Sequence, residues 1–186
     1  MITKANLEEA KLIYKKHMEI DFPDDELPDY NRYVKLTTEN IHDVYLYKVD
    51  NQNVAYFITV EKNNNILVTH LAVMREFRSQ GIGKVFLEEI KKFFKDKNML
   101  IVEVEAETRA NNDEELDTIK RRKNYYLKAD FKQCENMKYV LWGVPYDILI
   151  YVPNKRKNYS NNQIKGIIEN IYFSLGLDKS KLIIKW

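Results

Sequence analysis

The segment HLAVMREFRSQGIGKVFLEEI, residues 70–90, joins a β-branched run to an amphipathic one through a turn that carries two glycines. Residues 66–73 before it read as a strand. Residues 81–97 after it read as a helix, with Ile82, Val85, Phe86, Ile90, Phe93 and Phe94 on one face and Glu88, Glu89, Lys92 and Lys95 on the other. Gly81 and Gly83 lack Cβ atoms, so the backbone there can approach a ligand closely, and the first helical turn offers N–H groups that have no intrahelical acceptor. Arg78 and Lys84 add positive charge at that end, and the combination suits a pyrophosphate. The turn is not a P-loop, because no GK[ST] ending follows, and it lacks the third glycine of a dinucleotide fingerprint. The competing reading is a plain strand-to-helix connection.

Outward from this turn, residues 44–49, 54–61 and 66–73 are β-branched and aromatic runs separated by DNQN and NNN, which predicts an antiparallel meander. Upstream, Asn6 can cap a helix whose apolar residues Leu7, Ala10, Leu12, Ile13, Tyr14, Met18 and Ile20 recur at three-to-four spacing and which stops before Pro23. A second short helix fits residues 30–38, after the loop DFPDDELP, where Pro23 and Pro28 block helix propagation. Downstream, LIVEVEAE at 100–107 alternates, with Val102, Val104 and Ala106 toward one face and Glu103, Glu105 and Glu107 toward the other. A helix near 116–128, strands near 137–141 and 147–152, and a helix from 162 to about 175 complete the order. That order indicates an α+β or α/β domain with a mixed sheet.

At 186 residues, and roughly 100–200 residues per domain, the chain needs neither disulfides nor a metal to support a core. Thirty basic and 28 acidic residues leave a net charge of +2, too small to demand a nucleic acid or an anionic membrane as partner. A hydrophobic fraction of 45% with 31% charged residues excludes a disordered, collagen-like or membrane-embedded chain. The single cysteine, Cys134, excludes a disulfide framework and a CxxC pair, and His17, His42 and His70 are too scattered for a metal motif. The opening MITKANLEEAKLIYKK lacks the apolar centre of a secretory signal. The most apolar stretch, 140–152, is broken by Gly143, Pro145 and Asp147 and falls short of the roughly 18 residues of a bilayer span. The expected location is the cytoplasm.

Taken whole, residues 70–90 resemble the cofactor motif of the GNAT N-acetyltransferase superfamily in its bacterial type: an apolar-Ala-Val strand end, Arg-x-x-Gly-x-Gly, then an amphipathic helix. The resemblance implies a mixed, mostly antiparallel sheet of about six to seven strands flanked by helices. It covers roughly residues 1–152, the expected acetyltransferase domain, and leaves 153–186 as a helical extension packed on it. It implies acetyl-CoA as cosubstrate, with the pyrophosphate held by the amides of Arg78, Ser79, Gln80, Gly81, Ile82, Gly83 and Lys84. The pantetheine arm would pair with Leu71, Ala72 and Val73, and an amide near Val73 would serve as oxyanion donor. The stretch RRKNYYLKADF, 121–131, is similar to the family's aromatic-Tyr-x-x-x-Gly-Phe signature and puts Tyr126 where a hydroxyl can protonate the departing thiolate. Asp130 replaces the usual glycine, which is tolerable because Asp visits the left-handed region readily. Ile119 and Arg122 stand where many members have Asn and Ala, and TRANNDEELD is longer than a minimal member needs.

Acetyl transfer requires a neutral amine, whereas an alkylamine with a pKa of about 10 is protonated at neutral pH, so something must accept a proton. Glu103 and Glu105 on the acidic strand face are candidates; their competing role is pairing with Arg121 and Arg122. Glu26 is a third candidate, because the resemblance places its loop over the acceptor cleft. His70 shares a face with Val68 and Ala72, so a buried, hydrogen-bonded histidine is expected rather than a base. Cys134 has no activating neighbour in sequence and is expected to be inert. Tyr30, Tyr33, Tyr45, Tyr47 and Tyr56 suggest aromatic walls for an acceptor pocket, or simply strand core and surface. The expectation is an acetyl-CoA-dependent N-acetyltransferase acting on a primary amine of a small molecule by direct attack, as a monomer or homodimer, with no metal. Competing classes are a noncatalytic acyl-CoA-binding or regulatory module, a protein or peptide N-acetyltransferase, and a nucleic-acid binder, which would associate in a salt-dependent way.

Overall fold

The computed structural model describes residues 1–186, which fall into two compact units: Met1–Val60 with Val68–Phe93, and Glu61–Leu67 with Phe94–Trp186. In the first unit, β1 (Ile2–Lys4) leads into α1 (Leu7–Ile13). The Asn6 side chain accepts the Glu9 amide while the Glu9 carboxylate accepts the Asn6 amide, so two orphan donors of the helix start are satisfied together. The helix then runs through a π-helical turn, Tyr14–Met18, and a last short piece, α2 (Glu19–Asp21), before extended Phe22 and Pro23 end it. Asp29 caps α3 (Tyr30–Thr38).

Next come β2 (Asp43–Val49), β3 (Gln52–Lys62) and β4 (Asn65–Val73). Their turns are Asp50-Asn51 and Asn63-Asn64, all four residues having φ between 49° and 63°. Two successive left-handed residues make the hairpin turn whose twist matches the flanking strands. β2 pairs antiparallel with β1 (Ile2↔Tyr47) and with β3 (Tyr45↔Phe57). Ala10, Ile13 and Met18 pack with Tyr33, Leu46 and Ile58 in the core. The unit closes with α4 (Ile82–Phe93), whose Phe86 stacks on Tyr47 with ring centroids 5.2 Å apart. Four of the tyrosines offered as pocket walls, Tyr33, Tyr45, Tyr47 and Tyr56, are buried core residues. The Tyr33 hydroxyl, for instance, donates to the Ala10 carbonyl at 3.0 Å.

The second unit holds the tip of the β3–β4 hairpin, where the Asn64 carbonyl accepts the Asn98 amide at 2.8 Å. It continues with β5 (Met99–Glu105), α5 (Asp113–Leu127), β6 (Lys132–Gln133), β7 (Lys138–Leu141), β8 (Val144–Tyr151), α6 (Asn161–Ser174) and β9 (Leu182–Lys185). β8 is the hub: β5, β6 and β7 all pair with it antiparallel, and β9 adds to β7. Trp142-Gly143, with φ of 48° and 86°, turns β7 into β8.

The α+β class and the largely antiparallel pairing are as expected. Strands number nine rather than six to seven, because β1, β6 and β9 are two to four residues long. Segments that short carry no readable alternation; a neighbouring strand makes them strands. The acidic strand also ends earlier than its alternation suggests, since Glu107 begins a 3-10 turn, Glu107–Arg109. No helix is long and apolar enough to cross a membrane.

Candidate functional site

After β4, Met74 anchors its amide on the Val54 carbonyl, and a 3-10 turn, Arg75–Phe77, is closed by the Arg78 amide on the Arg75 carbonyl. The chain then reverses hand at exposed Ser79 (φ 63°) and again at Gly81 (φ 77°) before α4 begins. The amides of Ser79, Gln80, Gly81 and Ile82 make no hydrogen bond within the protein. A run of outward amides broken by left-handed residues forms a concavity that accepts an anion, and the start of a twelve-residue helix adds its dipole. A Cβ built on Gly81 would meet no atom within 4 Å, so its small size serves approach from outside. Leu71, Ala72 and Val73 are partly exposed at the strand end.

Arg78 differs from the expectation. Its amide closes the turn, and its guanidinium faces inward, with Nε on the Val73 carbonyl at 2.8 Å and Nη2 on Asp21 Oδ1 at 2.5 Å. The reason is a carboxylate on a distant helix end, with a side chain only 2% exposed, that needs a cationic partner. Lys84 is exposed at the loop.

Glu26 lies in the 3-10 turn Asp24–Glu26, and its carbonyl accepts from His70 Nε2 at 3.2 Å. Burial lowers the His70 pKa to about 4, partly opposed by that carbonyl, so the ring is neutral. Phe22 meets it edge-on, 4.9 Å between centroids. His70 is hydrogen-bonded as strand parity indicates, but half-buried rather than buried. Beside this turn, Tyr14, Glu19, Asp24, Leu27, Pro28 and Asp29 line a cleft of about 380 Å³.

In the second unit, Tyr126 sits near the end of α5, edge-on to Tyr125 and Phe131 at 5.0 and 5.5 Å. Asp130 adopts φ 65°, the conformation a glycine would take, and this lets the Phe131 amide reach back to the Tyr126 carbonyl. The Tyr126 hydroxyl makes no hydrogen bond within the protein. Burial pushes its pKa up to about 12 against the pull of Arg122, so it keeps its proton at neutral pH.

The two strand glutamates are engaged. Glu103 receives the Tyr139 hydroxyl on Oε1, and the Tyr172 hydroxyl lies 2.7 and 2.6 Å from its two oxygens. Burial raises its pKa while the two hydroxyls pull it back down. Glu105 pairs with Arg122 at 2.8 Å and with Arg109 at 3.7 Å. Arg122 therefore takes the pairing role weighed from sequence. Cys134 is buried, and burial raises its pKa to about 11, which keeps it a thiol.

Residues 40–133 match the family model for the acetyltransferase (GNAT) domain, just over half of the 186-residue chain. The chain belongs to the GNAT acetyltransferase family. No curated protein matches the sequence. Among solved structures, a putative GNAT-family acetyltransferase from Bacteroides thetaiotaomicron superposes with TM-score 0.79 at 17% identity, covering 96% of this chain and 99% of that one. A ribosomal-protein-S18-alanine N-acetyltransferase from Escherichia coli gives TM-score 0.56 at 16% identity, covering 81% and 90%. A dodecameric spermidine N-acetyltransferase from Vibrio cholerae gives 0.59 at 9% identity, covering 85% and 96%. At such identities these likenesses are of fold.

Within this GNAT chain, three features escaped the sequence. Asp21 carries no local mark of its role, because nothing near it announces two arginines 54 and 57 residues away. Tyr139 and Tyr172, the partners of Glu103, lie 36 and 69 residues from it. The left-handed Ser79 had a weak signal: a small polar residue two before a glycine in a strand-to-helix turn.

Proposed function

We propose that this GNAT protein transfers the acetyl group of acetyl-CoA directly to a primary amine of a small, cationic acceptor. The observation that carries this reading is the run of unpartnered amides from Ser79 to Ile82, between the left-handed Ser79 and the start of α4. These amides, with Lys84 beside them, fit a diphosphate, and Leu71, Ala72 and Val73 offer a strand end to the arm that follows it. Bound acetyl-CoA supplies a thioester. For this chain's part, an amide near Val73 donates to the thioester oxygen, and Tyr126 holds a proton for the leaving sulfur. Its unpartnered hydroxyl supports that role.

Among the carboxylates, Glu26 is the one we put forward as proton acceptor. Its turn is pinned by His70 and shares Asp24 with the lining of the neighbouring cleft. The cleft next to Glu26 supports a cationic acceptor through Asp24 and through the site Lys15 already occupies, its ammonium 2.6 Å from Glu19 and 5.5 Å from the centre of the Tyr14 ring. The engagement of both strand glutamates favours a second reading, a noncatalytic acyl-CoA-binding module.

Calorimetry with acetyl-CoA and a transfer assay over a panel of polyamines, amino sugars and amino acids separates the two. The enzyme binds and turns over; the module binds only; absence of binding ends both. In the enzyme, Tyr126→Phe lowers kcat about 100-fold and leaves acetyl-CoA affinity within threefold. An unchanged kcat removes the acid role.

A further inference from the structure

The amides from Ser79 to Ile82 make no bonds of their own; within the loop only the Gln80 side chain ties back, donating to the Glu76 carbonyl at 3.1 Å, and the remaining bracing comes from the residues flanking it. Those residues are braced by one carboxylate. Asp21 Oδ1 takes Arg78 Nη2 at 2.5 Å and Arg75 Nε at 3.3 Å, and Oδ2 takes the Tyr56 hydroxyl at 3.0 Å. Each arginine also grips the main chain: Arg78 Nε on the Val73 carbonyl at 2.8 Å, and Arg75 Nη2 on the Ile20 carbonyl at 2.6 Å. The 3-10 turn Arg75–Phe77 thus runs between two side chains tied to the same acid, and residue 78 leaves it directly into the left-handed Ser79.

Asp21 owes its place to the π-helical turn Tyr14–Met18. One extra residue in a helix rotates everything after it by roughly 100° relative to an uninterrupted α-helix. That rotation brings the last acid of the helix to the arginines. A carboxylate withdrawn from water in this way is costly unless paired and fully hydrogen-bonded, and here every oxygen has a donor. While Arg78 serves Asp21 and Val73, the loop's pull on an anion falls to the amides and Lys84.

We infer that Asp21 is a positioning residue for the anion-binding loop, acting through Arg78 to hold Ser79–Ile82 in the conformation that receives the CoA diphosphate. The inference rests on the loop reading proposed above. Preorganisation of this kind raises affinity because the loop need not be ordered at the moment of binding.

The experiment is a double-mutant cycle on the full chain, read as the Kd for CoA by calorimetry and the KM for acetyl-CoA in the transfer assay. Asp21→Asn and Arg78→Gln each raise Kd and KM about tenfold with kcat within threefold. The double variant is no worse than the weaker-binding single, because both break one linkage. Multiplying effects would make Arg78 a direct diphosphate ligand and overturn the inference. An unchanged Kd in a folded Asp21→Asn, or a loss of thermal stability alone, overturns it too. Should Asp21→Asn fail to fold, Tyr56→Phe replaces it in the cycle, with Kd rising two- to fivefold and the same lack of multiplication with Arg78→Gln. Failure of the loop reading is distinguishable: wild-type protein would not bind CoA, or Gly81→Val would bind it normally.

Discussion

The glycine turn of the first unit and the glutamate strand of the second both look, in sequence, like places where chemistry is done. The structure treats them in opposite ways. At the turn, four consecutive amides have no partner and the side chain of the preceding Arg78 is tied to Asp21. At the strand, Glu103 has tyrosine hydroxyls on both oxygens and Glu105 has two arginines. Unused hydrogen-bonding capacity at an exposed backbone invites a ligand, while saturated capacity at a half-buried side chain spends itself on stability. Tyr126, with an unpartnered hydroxyl in the second unit, sides with the turn.

The contrast can be broken most severely at the turn. Gly81→Val puts a branched side chain at φ 77° and over the free amides. CoA affinity should fall at least 100-fold by calorimetry, with helix content by circular dichroism retained; normal affinity would remove the distinction between the two regions. At the strand, Glu103→Ala leaves two buried tyrosine hydroxyls without an acceptor and should lower unfolding free energy by about 3 kcal/mol in urea while CoA affinity stays within twofold. A drop in affinity instead of stability would reverse the assignment. Tyr172→Phe removes one hydroxyl from that cluster and should cost about 1 kcal/mol in the same assay.

Between these lies a pH effect in the first unit. Burial, helped by nearby His70, lowers the His42 pKa from 6.5 to about 4. Its Nε2 lies 2.7 Å from Thr37 Oγ1, which already donates to the Tyr33 carbonyl, so His42 donates and is the neutral Nε2–H form. The unfolded chain therefore binds a proton that the folded chain refuses between pH 6.5 and pH 4. The stabilisation is complete above pH 6.5 and is lost as pH falls toward 4, with about 2 kcal/mol gone by pH 5. Urea midpoints at pH 7 and pH 5 should differ accordingly, and His42→Gln should flatten part of the difference.

Much of the fold was legible because its signals are local. The cap at Asn6, the third helix at Tyr30–Thr38, the paired turn residues at 50–51 and 63–64, and the left-handed tolerance of Asp130 are each set by a residue and its immediate neighbours. So was the candidate loop, since glycines between a strand and an amphipathic helix leave amides exposed wherever the chain goes next. The partners of charges were not legible. Whether Glu103 faced a substrate or two tyrosines, and whether Arg78 faced a diphosphate or Asp21, depended on residues 36 to 69 positions away. Backbone conformation is chosen by short-range sterics, which a sequence spells out residue by residue. The company a buried charge keeps is chosen by packing, which exists only once the chain has folded.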